Sequence, residues 1–354
     1  MSAMTRLAAS VQRAPMFRDR TNATATVVLG AAIAYAGVRF VEWGIVNAIW
    51  SLPSDAGSEA CRAARGSGAC WAVIAERFRF ILSGAYPFAE QWRSATACLL
   101  FVTLYVASTV RALWDWRLLF LWIALPTAAV TLLRGGVFGL SGVPSEFWGG
   151  LPLTFLLSTV GFATAFPFAL ALALGRRSEL PAVRGLCIAY IELVRGVPLV
   201  TFLFMAAMMF PLFAPQGLVV DKLLRAQIAI VMVAAAYLAE VLRGGLQAIP
   251  RGQYDAAASL GLPYWPSTIL IVLPQVLHVS IPSLVNTFIA FFKDTSLVIV
   301  IGLFDLLGAG KAVLVDPKWV GFGVEVYLFV AIVYFAFCYG VSQYSRHLEQ
   351  PNTT

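Results

Sequence analysis

Gly149-Gly-Leu-Pro-Leu-Thr-Phe-Leu-Leu-Ser-Thr-Val-Gly-Phe-Ala-Thr-Ala-Phe-Pro-Phe-Ala-Leu-Ala-Leu-Ala-Leu174 contains no charged side chain. An α-helix rises ~1.5 Å per residue, so about twenty apolar residues cross a ~30 Å hydrocarbon layer, and this stretch is longer than that. Outward from it, further apolar runs fall at about 27 to 49, 95 to 110, 117 to 133, 185 to 210, 224 to 243, 279 to 301 and 324 to 345, bounded by charged or turn-forming residues. The pattern predicts an all-α polytopic membrane protein with about eight transmembrane helices.

Composition agrees. Apolar residues make up 60% of the chain and charged ones 12%, against ~25% in an average soluble domain, which is too little polar surface to face water. The net charge of +7 comes from basic residues scattered through short loops and the amino-terminal tail. Without a Lys/Arg stripe interleaved with aromatics it speaks for membrane orientation and against nucleic acid. The histidines His278 and His347 and the cysteines Cys61, Cys70, Cys98, Cys187 and Cys338 show no CxxC or HxxxH spacing, so neither a metal nor a cofactor is expected.

Arg6, Arg13, Arg18 and Arg20 precede the first span against Asp19 alone, which puts the amino terminus in the cytoplasm. An even number of spans returns the carboxyl terminus there. Loops around Arg111 and Arg117, around Arg176, Arg177 and Arg184, and from Arg243 to about Pro274 are then cytoplasmic. The long loop from Ser51 to Arg93 lies outside, its arginines nearly balanced by Asp55, Glu59, Glu76 and Glu90. It holds Cys61 and Cys70, which in an oxidising compartment either join or stay as free thiols; Gly66 and Gly68 loosen the segment between them. Arg39 and Glu42 interrupt the first span at i,i+3 spacing, where they can pair on one helix face. Its core, Val27 to Val38, has signal-peptide length, so this span is either retained or cleaved. Residues 1–146 read as an amino-terminal extension with three spans and a long external loop, 147–346 as a core of five spans with tighter connections, and 347–354 as a cytoplasmic tail.

Between the sixth and seventh spans stands Pro250-Arg-Gly-Gln-Tyr-Asp-Ala-Ala-Ala-Ser-Leu-Gly-Leu-Pro263. Asp255 to Leu260 is Ala-rich and helical by propensity, and Gly261 with Pro263 ends the helix in the expected order. A short amphipathic helix therefore projects from the membrane into the cytoplasm. Ala256, Ala257 and Ala258 let another protein approach closely, while Tyr254 and Leu260 offer apolar anchors for a groove.

Asp255-Ala256-Ala257, then Gly261, then Ile271-Val272-Leu273-Pro274 follow the spacing E-A-A-x3-G-x9-I-x-L-P, with Asp255 in place of Glu as the one departure. This resembles the cytoplasmic signature of permease subunits of binding-protein-dependent ABC importers. The likeness continues through Glu192-Leu-Val-Arg195-Gly196-Val-Pro198, Tyr237-Leu-Ala-Glu240-Val-Leu-Arg243-Gly244-Gly245, Asn286 and Lys293-Asp294-Thr295-Ser296-Leu297, where the chain is similar to the polar amino-acid branch. With the three-span extension and the run Ile301 to Gly308, it is similar to general L-amino-acid permeases over nearly its whole length. The resemblance implies a multi-pass inner-membrane subunit that translocates polar or general L-amino acids. It further implies a cytoplasmic ABC ATPase docked at Tyr254, Asp255, Ala256, Ala257, Leu260 and Gly261, a second permease subunit forming a heterodimer, and a periplasmic binding protein that delivers substrate.

Glu192/Arg195 and Glu240/Arg243 both read E-x-x-R-G, which sets each acid beside its base on a helix face. Pairing lowers the cost of a charge near the membrane, which reaches ~2.5 kcal/mol or more at mid-bilayer. Two readings are open: the pairs neutralise themselves at the cytoplasmic interface, or they gate and line the path. Asn286, Ala290 and Lys293 share a face of the seventh span, with Asp294, Thr295 and Ser296 close behind. That face is either the substrate path, turned toward the fifth and sixth spans, or a packing or outer-interface surface. Pro152, Pro167, Pro198 and Pro282 predict kinks.

Gly308-Ala-Gly310-Lys311-Ala312 fails as a phosphate loop, since position 305 is Asp where glycine is required and Ala312 lacks the hydroxyl. ATP hydrolysis must then come from another chain. An ion-coupled secondary transporter would show two repeat halves with matching interrupted helices, and a membrane enzyme a convergent set of acids, bases or nucleophiles. The sequence displays neither.

Overall fold

A computed structural model describes residues 19–51, 58–137, 139–215, 217 and 219–349. Arg6, Arg13, Arg18 and Asp55, used above for orientation, and most of the tail 347–354 lie outside them. The helices are α1 Arg20–Val41, α2 Glu59–Ala63, α3 Ala72–Ser83, α4 Gln91–Thr109, α5 Trp116–Arg134, α6 Gly150–Gly175, α7 Pro181–Gly196, α8 Leu199–Phe213, α9 Lys222–Ala248, α10 Arg251–Ser259, α11 Tyr264–Ile301, α12 Leu306–Val313 and α13 Gly323–Glu349. A helix stands at each predicted span. Among the described residues, six are long and apolar enough to cross a membrane, or seven if the bent pair α7 and α8 is one span. The helix at the predicted 95 to 110 span, α4, opens on Gln91 and Arg93, which lowers its apolarity.

The predicted span 185 to 210 is not one straight rod. α7 and α8 meet at 97°. Pro198 has no N–H to continue the ladder, and Val197 before it is driven to an extended backbone (φ −112°, ψ 133°). Two helices at that angle cannot share one transmembrane axis.

The chain divides into two compact units, Met1–Glu76 and Arg77–Thr354, with the division inside α3. In the first, α1 exposes Val27, Ile33, Tyr35 and Val38 around its circumference, as a helix facing lipid does. The ion pair of Arg39 with Glu42 at 3.1 Å is the one expected from the spacing. Beyond it, Ile49 N–H donates to Ala69 O at 2.8 Å and Trp71 Nε1 donates to Gly44 O at 2.7 Å. The backbones come so close that a Cβ at Gly68 would lie 1.9 Å from the Asn47 carbonyl oxygen. Cys61 and Cys70 are joined, with Cα atoms 5.6 Å apart. Closing so short a loop contributes at most ~3 kcal/mol in the chain-entropy model.

In the second unit α6 and α9 pack along each other at the centre, flanked by α7, α11 and α13. α9 supplies small buried residues, Ala226, Ala229, Ala234, Ala236 and Ala239, that let helix backbones approach. α4 and α5 pair and lie on α6. Their junction is aromatic: Tyr105 of α4 meets Phe155 of α6, Phe288 of α11 and Phe337 of α13 at centroid distances of 6.0, 5.8 and 5.1 Å. Arg93 of α4 is fully buried, and its guanidinium donates to Leu132 O at 2.7 Å, Leu133 O at 3.3 Å and Ser141 O at 3.0 Å. It satisfies the carbonyls at the carboxyl end of α5, where the helix dipole favours a cation.

Asp305, the residue that spoils the phosphate-loop pattern, is the N-cap of α12. Its Oδ1 accepts from Gly308 N–H and its Oδ2 from Tyr334 O–H, both at 2.8 Å. Burial pushes its carboxyl up from the ordinary range, and those two hydrogen bonds hold it back.

Candidate functional site

α10 is bracketed by Pro250 at its start and Gly261 after its end. Gly261 has φ +71°, the left-handed backbone that an L side chain adopts only with strain. Gly261 N–H reaches Ala258 O at 2.9 Å and Leu262 N–H reaches Ala257 O at 3.1 Å, the pair of bonds that closes a Schellman motif. α10 is therefore a complete, independently capped helix standing between two spans. Asp255, Ala256, Leu260 and Gly261 are exposed, Leu260 at 76%.

The other two anchors turn inward. Ala257 is fully buried, and Tyr254 is half-buried, its hydroxyl accepting from Arg177 NH1 at 2.9 Å while the guanidinium lies 5.3 Å from the ring centroid. At i,i+3 spacing these two share one face, and that face packs on the chain itself. The expectation that Ala257 admits another protein is corrected accordingly.

Beside α10, five charged side chains from three elements converge. Glu240 of α9 accepts from Arg243 Nε at 2.9 Å and from its NH2, from Arg176 NH1 at 3.3 Å, and lies 3.7 Å from Arg195 NH1. Glu240 and Arg243 thus form the expected i,i+3 pair. Glu192 and Arg195 do not. Glu192 pairs with Arg176 at 3.2 Å, while Arg195 turns toward Glu240 with its guanidinium 5.6 Å from the Tyr237 ring centroid. The acid of α7 looks outward, at 57% exposure, and its base inward at 33%, so the tertiary partners win over the local pair. The cluster holds three arginines against two glutamates, and Arg195 Nε is buried without a hydrogen-bond partner.

On α11, Asn286, Ala290 and Lys293 are all exposed, opposite the buried Phe288 and Phe292. The shared face is real, and it looks out of the chain. Lys293 has no acidic partner within 4.0 Å among the described residues. Asp294 and Ser296 are partly exposed, whereas Thr295 is buried and its hydroxyl donates to Phe292 O at 2.9 Å. Thr295 follows Lys293 by two residues, which already sets it on the opposite, buried face, and the helix tightens to a 3-10 turn over Thr295–Ile301.

Residues 165–351, from the middle of α6 through α13, match the family model described as binding-protein-dependent transport system inner membrane component. This chain belongs to that family. The permease is 45% identical over 316 residues to the inner membrane amino-acid ABC transporter permease protein YhdY of Escherichia coli K12, covering 88% of this chain and 83% of that one. It is 35% identical over 395 residues to the glutamate/glutamine/aspartate/asparagine transport system permease protein BztC of Rhodobacter capsulatus, covering 92% and 90%. The crystal structure of an amino acid ABC transporter with histidines aligns at a TM-score of 0.51 and 28% identity, over 56% of this permease and 91% of that chain. The permease is a multi-pass inner-membrane protein and a transport component.

In the sequence Arg176 and Arg177 read as loop charges. In the permease Arg176 ties Glu192 to Glu240 and Arg177 holds α10 through Tyr254. The only signal was their position: two adjacent arginines directly after an uncharged helix, facing the same side as the Ala-rich segment.

Proposed function

We propose that this permease is one of two unlike membrane subunits of an ABC importer for amino acids, driven by a separate ATPase that docks on α10 and fed by an external binding protein. The observation that carries the reading is α10 itself, opened by Pro250 and closed by the Gly261 cap, tethered to the turn after α6 through Arg177 and Tyr254, and presenting Asp255, Ala256, Leu260 and Gly261 outward. Amino acids as cargo are supported by the names of YhdY and BztC, an amino-acid permease and a glutamate/glutamine/aspartate/asparagine permease. Both chain termini and α10 then face the cytoplasm, an orientation supported by the Cys61–Cys70 bond in the long loop, which suits an oxidising compartment. Residues 147–346 form the transport core and 1–146 the extension.

The charge cluster Arg176, Glu192, Arg195, Glu240 and Arg243 works beside α10 as the joint between ATPase and spans. The exposed Asn286/Lys293 face, with Asp294 and Ser296, lies along the substrate path and against the second subunit. In proteoliposomes holding both permeases, the ATPase and the binding protein, uptake of radiolabelled amino acids requires ATP. Uptake driven by an ion gradient without the ATPase would sink the proposal.

Two substitutions probe its parts. No atom comes within 4 Å of a Cβ at Gly261, so Gly261→Val acts through backbone strain of ~1–3 kcal/mol and not through a clash. Uptake falls about tenfold or more while ATP hydrolysis continues uncoupled, and Gly261→Asn, which tolerates the left-handed region, recovers most of it. Wild-type coupling in the valine variant would remove α10 from the mechanism.

Lys293→Met leaves the chain's own fold intact, since Lys293 has no acidic partner within 4.0 Å among the described residues, and lowers uptake by about tenfold with normal assembly. Unchanged uptake would return Lys293 to a snorkelling role.

A further inference from the structure

α5, the loop at 143–148, α6 and the start of α9 enclose a cleft of about 550 Å³. Its rim and its depth differ in chemistry. At the rim stand Arg134, the last residue of α5; Ser145 and Glu146, from the loop; and Asp221, the residue before α9. Each of these lies at the end of a span or just outside one, so all four sit at one membrane interface. Below them the lining is Val130, Leu156, Val160, Leu223 and Leu224, with Gln227 as the polar exception.

From Gly150 to Val160 the α6 wall descends by about ten residues at ~1.5 Å each, or ~15 Å, which is half of a ~30 Å hydrocarbon layer. The cleft is one leaflet deep, charged at the top and, Gln227 apart, apolar beneath.

Two of the rim groups are already occupied. Asp221 Oδ1 caps α9, accepting from Leu223 N–H at 2.8 Å and Leu224 N–H at 3.3 Å, and its Oδ2 accepts the Ser145 hydroxyl. These bonds fix the loop against α9 and build the wall. Arg134 and Glu146 remain. They line the same cleft with opposite charges, yet neither has an oppositely charged partner within 4.0 Å among the described residues. A ligand bearing an anion and a cation bridges such a pair where the side chains themselves do not.

We propose that this cleft binds a zwitterionic phospholipid whose headgroup carries a primary ammonium. The planar Arg134 fork takes the phosphate, Glu146 takes the ammonium, and one acyl chain runs down Val130, Leu156 and Val160. Gln227 lies in the depth of the cleft, beside Gly161, where its amide nitrogen reaches Leu157 O at 3.4 Å; it is below the level at which the headgroup is held. A free amino acid carries the same two charges but leaves the apolar lower half of the cleft uncovered.

The test is native mass spectrometry of the full chain, purified in mild detergent and given equimolar phosphatidylethanolamine and phosphatidylglycerol with matched acyl chains. The wild type retains phosphatidylethanolamine over phosphatidylglycerol by about tenfold, the discrimination expected of one charge-assisted contact. Glu146→Gln brings that ratio to near one without lowering total lipid retention, because phosphate binding at Arg134 persists. Arg134→Gln lowers retention of both lipids. Circular dichroism checks that each variant is folded, and if Arg134→Gln is not, the ratio in Glu146→Gln decides alone. Equal retention of the two lipids by the wild type overturns the proposal, as does an unchanged ratio in Glu146→Gln. Displacement of bound phosphatidylethanolamine by free glutamate or alanine overturns the lipid assignment in favour of a soluble zwitterion.

Discussion

Replacing Glu240 by glutamine is expected to destabilise the transport core and abolish ATP-driven uptake. A single carboxylate accepts from Arg243 and Arg176 and faces Arg195, at side-chain exposures of 22% for Glu240 and 22 to 33% for the three arginines. The amide keeps the shape and removes the charge, leaving three guanidiniums with only Glu192, itself 57% exposed, to offset them. Breaking a fully buried pair costs ~3–5 kcal/mol, and partial solvent screening reduces that here to about 2–3 kcal/mol. The arginines then repel one another, and α6, α7 and α9 separate beside α10. Thermal unfolding in detergent and uptake in proteoliposomes measure the two effects. Adding Arg243→Gln should restore part of the stability by removing one of the excess cations. A Glu240→Gln protein with wild-type melting and uptake would show that the cluster is surface decoration.

Arg93→Met is expected to be the most damaging change outside the transport core. Methionine fills comparable space but donates nothing, so Leu132 O and Ser141 O lose the guanidinium, Leu133 O keeps only the Tyr86 hydroxyl at 2.8 Å, and Glu90 loses its ion pair. These losses together cost about 2–4 kcal/mol, enough to loosen the end of α5 from α4. Arg93→Lys should recover only a fraction, because a point ammonium cannot span acceptors that a planar fork reaches at once. Yield after solubilisation and protease cleavage in the 135–142 turn report the damage. Wild-type protease resistance in Arg93→Met would mean that the turn is held by other contacts.

These two residues mark where the sequence was and was not readable. Hydropathy alone located a helix at every expected span, because a bilayer tolerates no other way of satisfying the backbone. The α10 helix was also legible: an Ala-rich run followed by glycine and proline encodes its own end, and the Gly261 cap needs no tertiary information. Glu240 and Arg243 pair as their i,i+3 spacing predicts. Glu192 leaves Arg195 for Arg176 because α6 happens to end beside α7, and nothing local records that. Arg93 counted as a loop charge for the same reason, its acceptors lying about forty residues further along the chain. Thr295, close behind that face in sequence, points the opposite way because two residues past Lys293 a helix has turned by about 200°. Pro198 announced a kink, but the 97° angle depends on how α7 and α8 settle against α9.

That junction has a consequence for hydration. Where α7 stops at Gly196 and α8 begins at Leu199, the closing carbonyls of one helix and the opening amides of the other lose their intrahelical partners, apart from Thr201 N–H, which reaches Pro198 O at 3.0 Å. Hydrocarbon leaves such groups unsatisfied at several kcal/mol each. Solvent or polar protein must therefore reach residues 193–200. The free amides of Val197, Leu199 and Val200 should exchange with deuterium within seconds, while those of α6 and α9 at the same depth stay protected, and this contrast draws the boundary between the dry and the wet parts of the molecule.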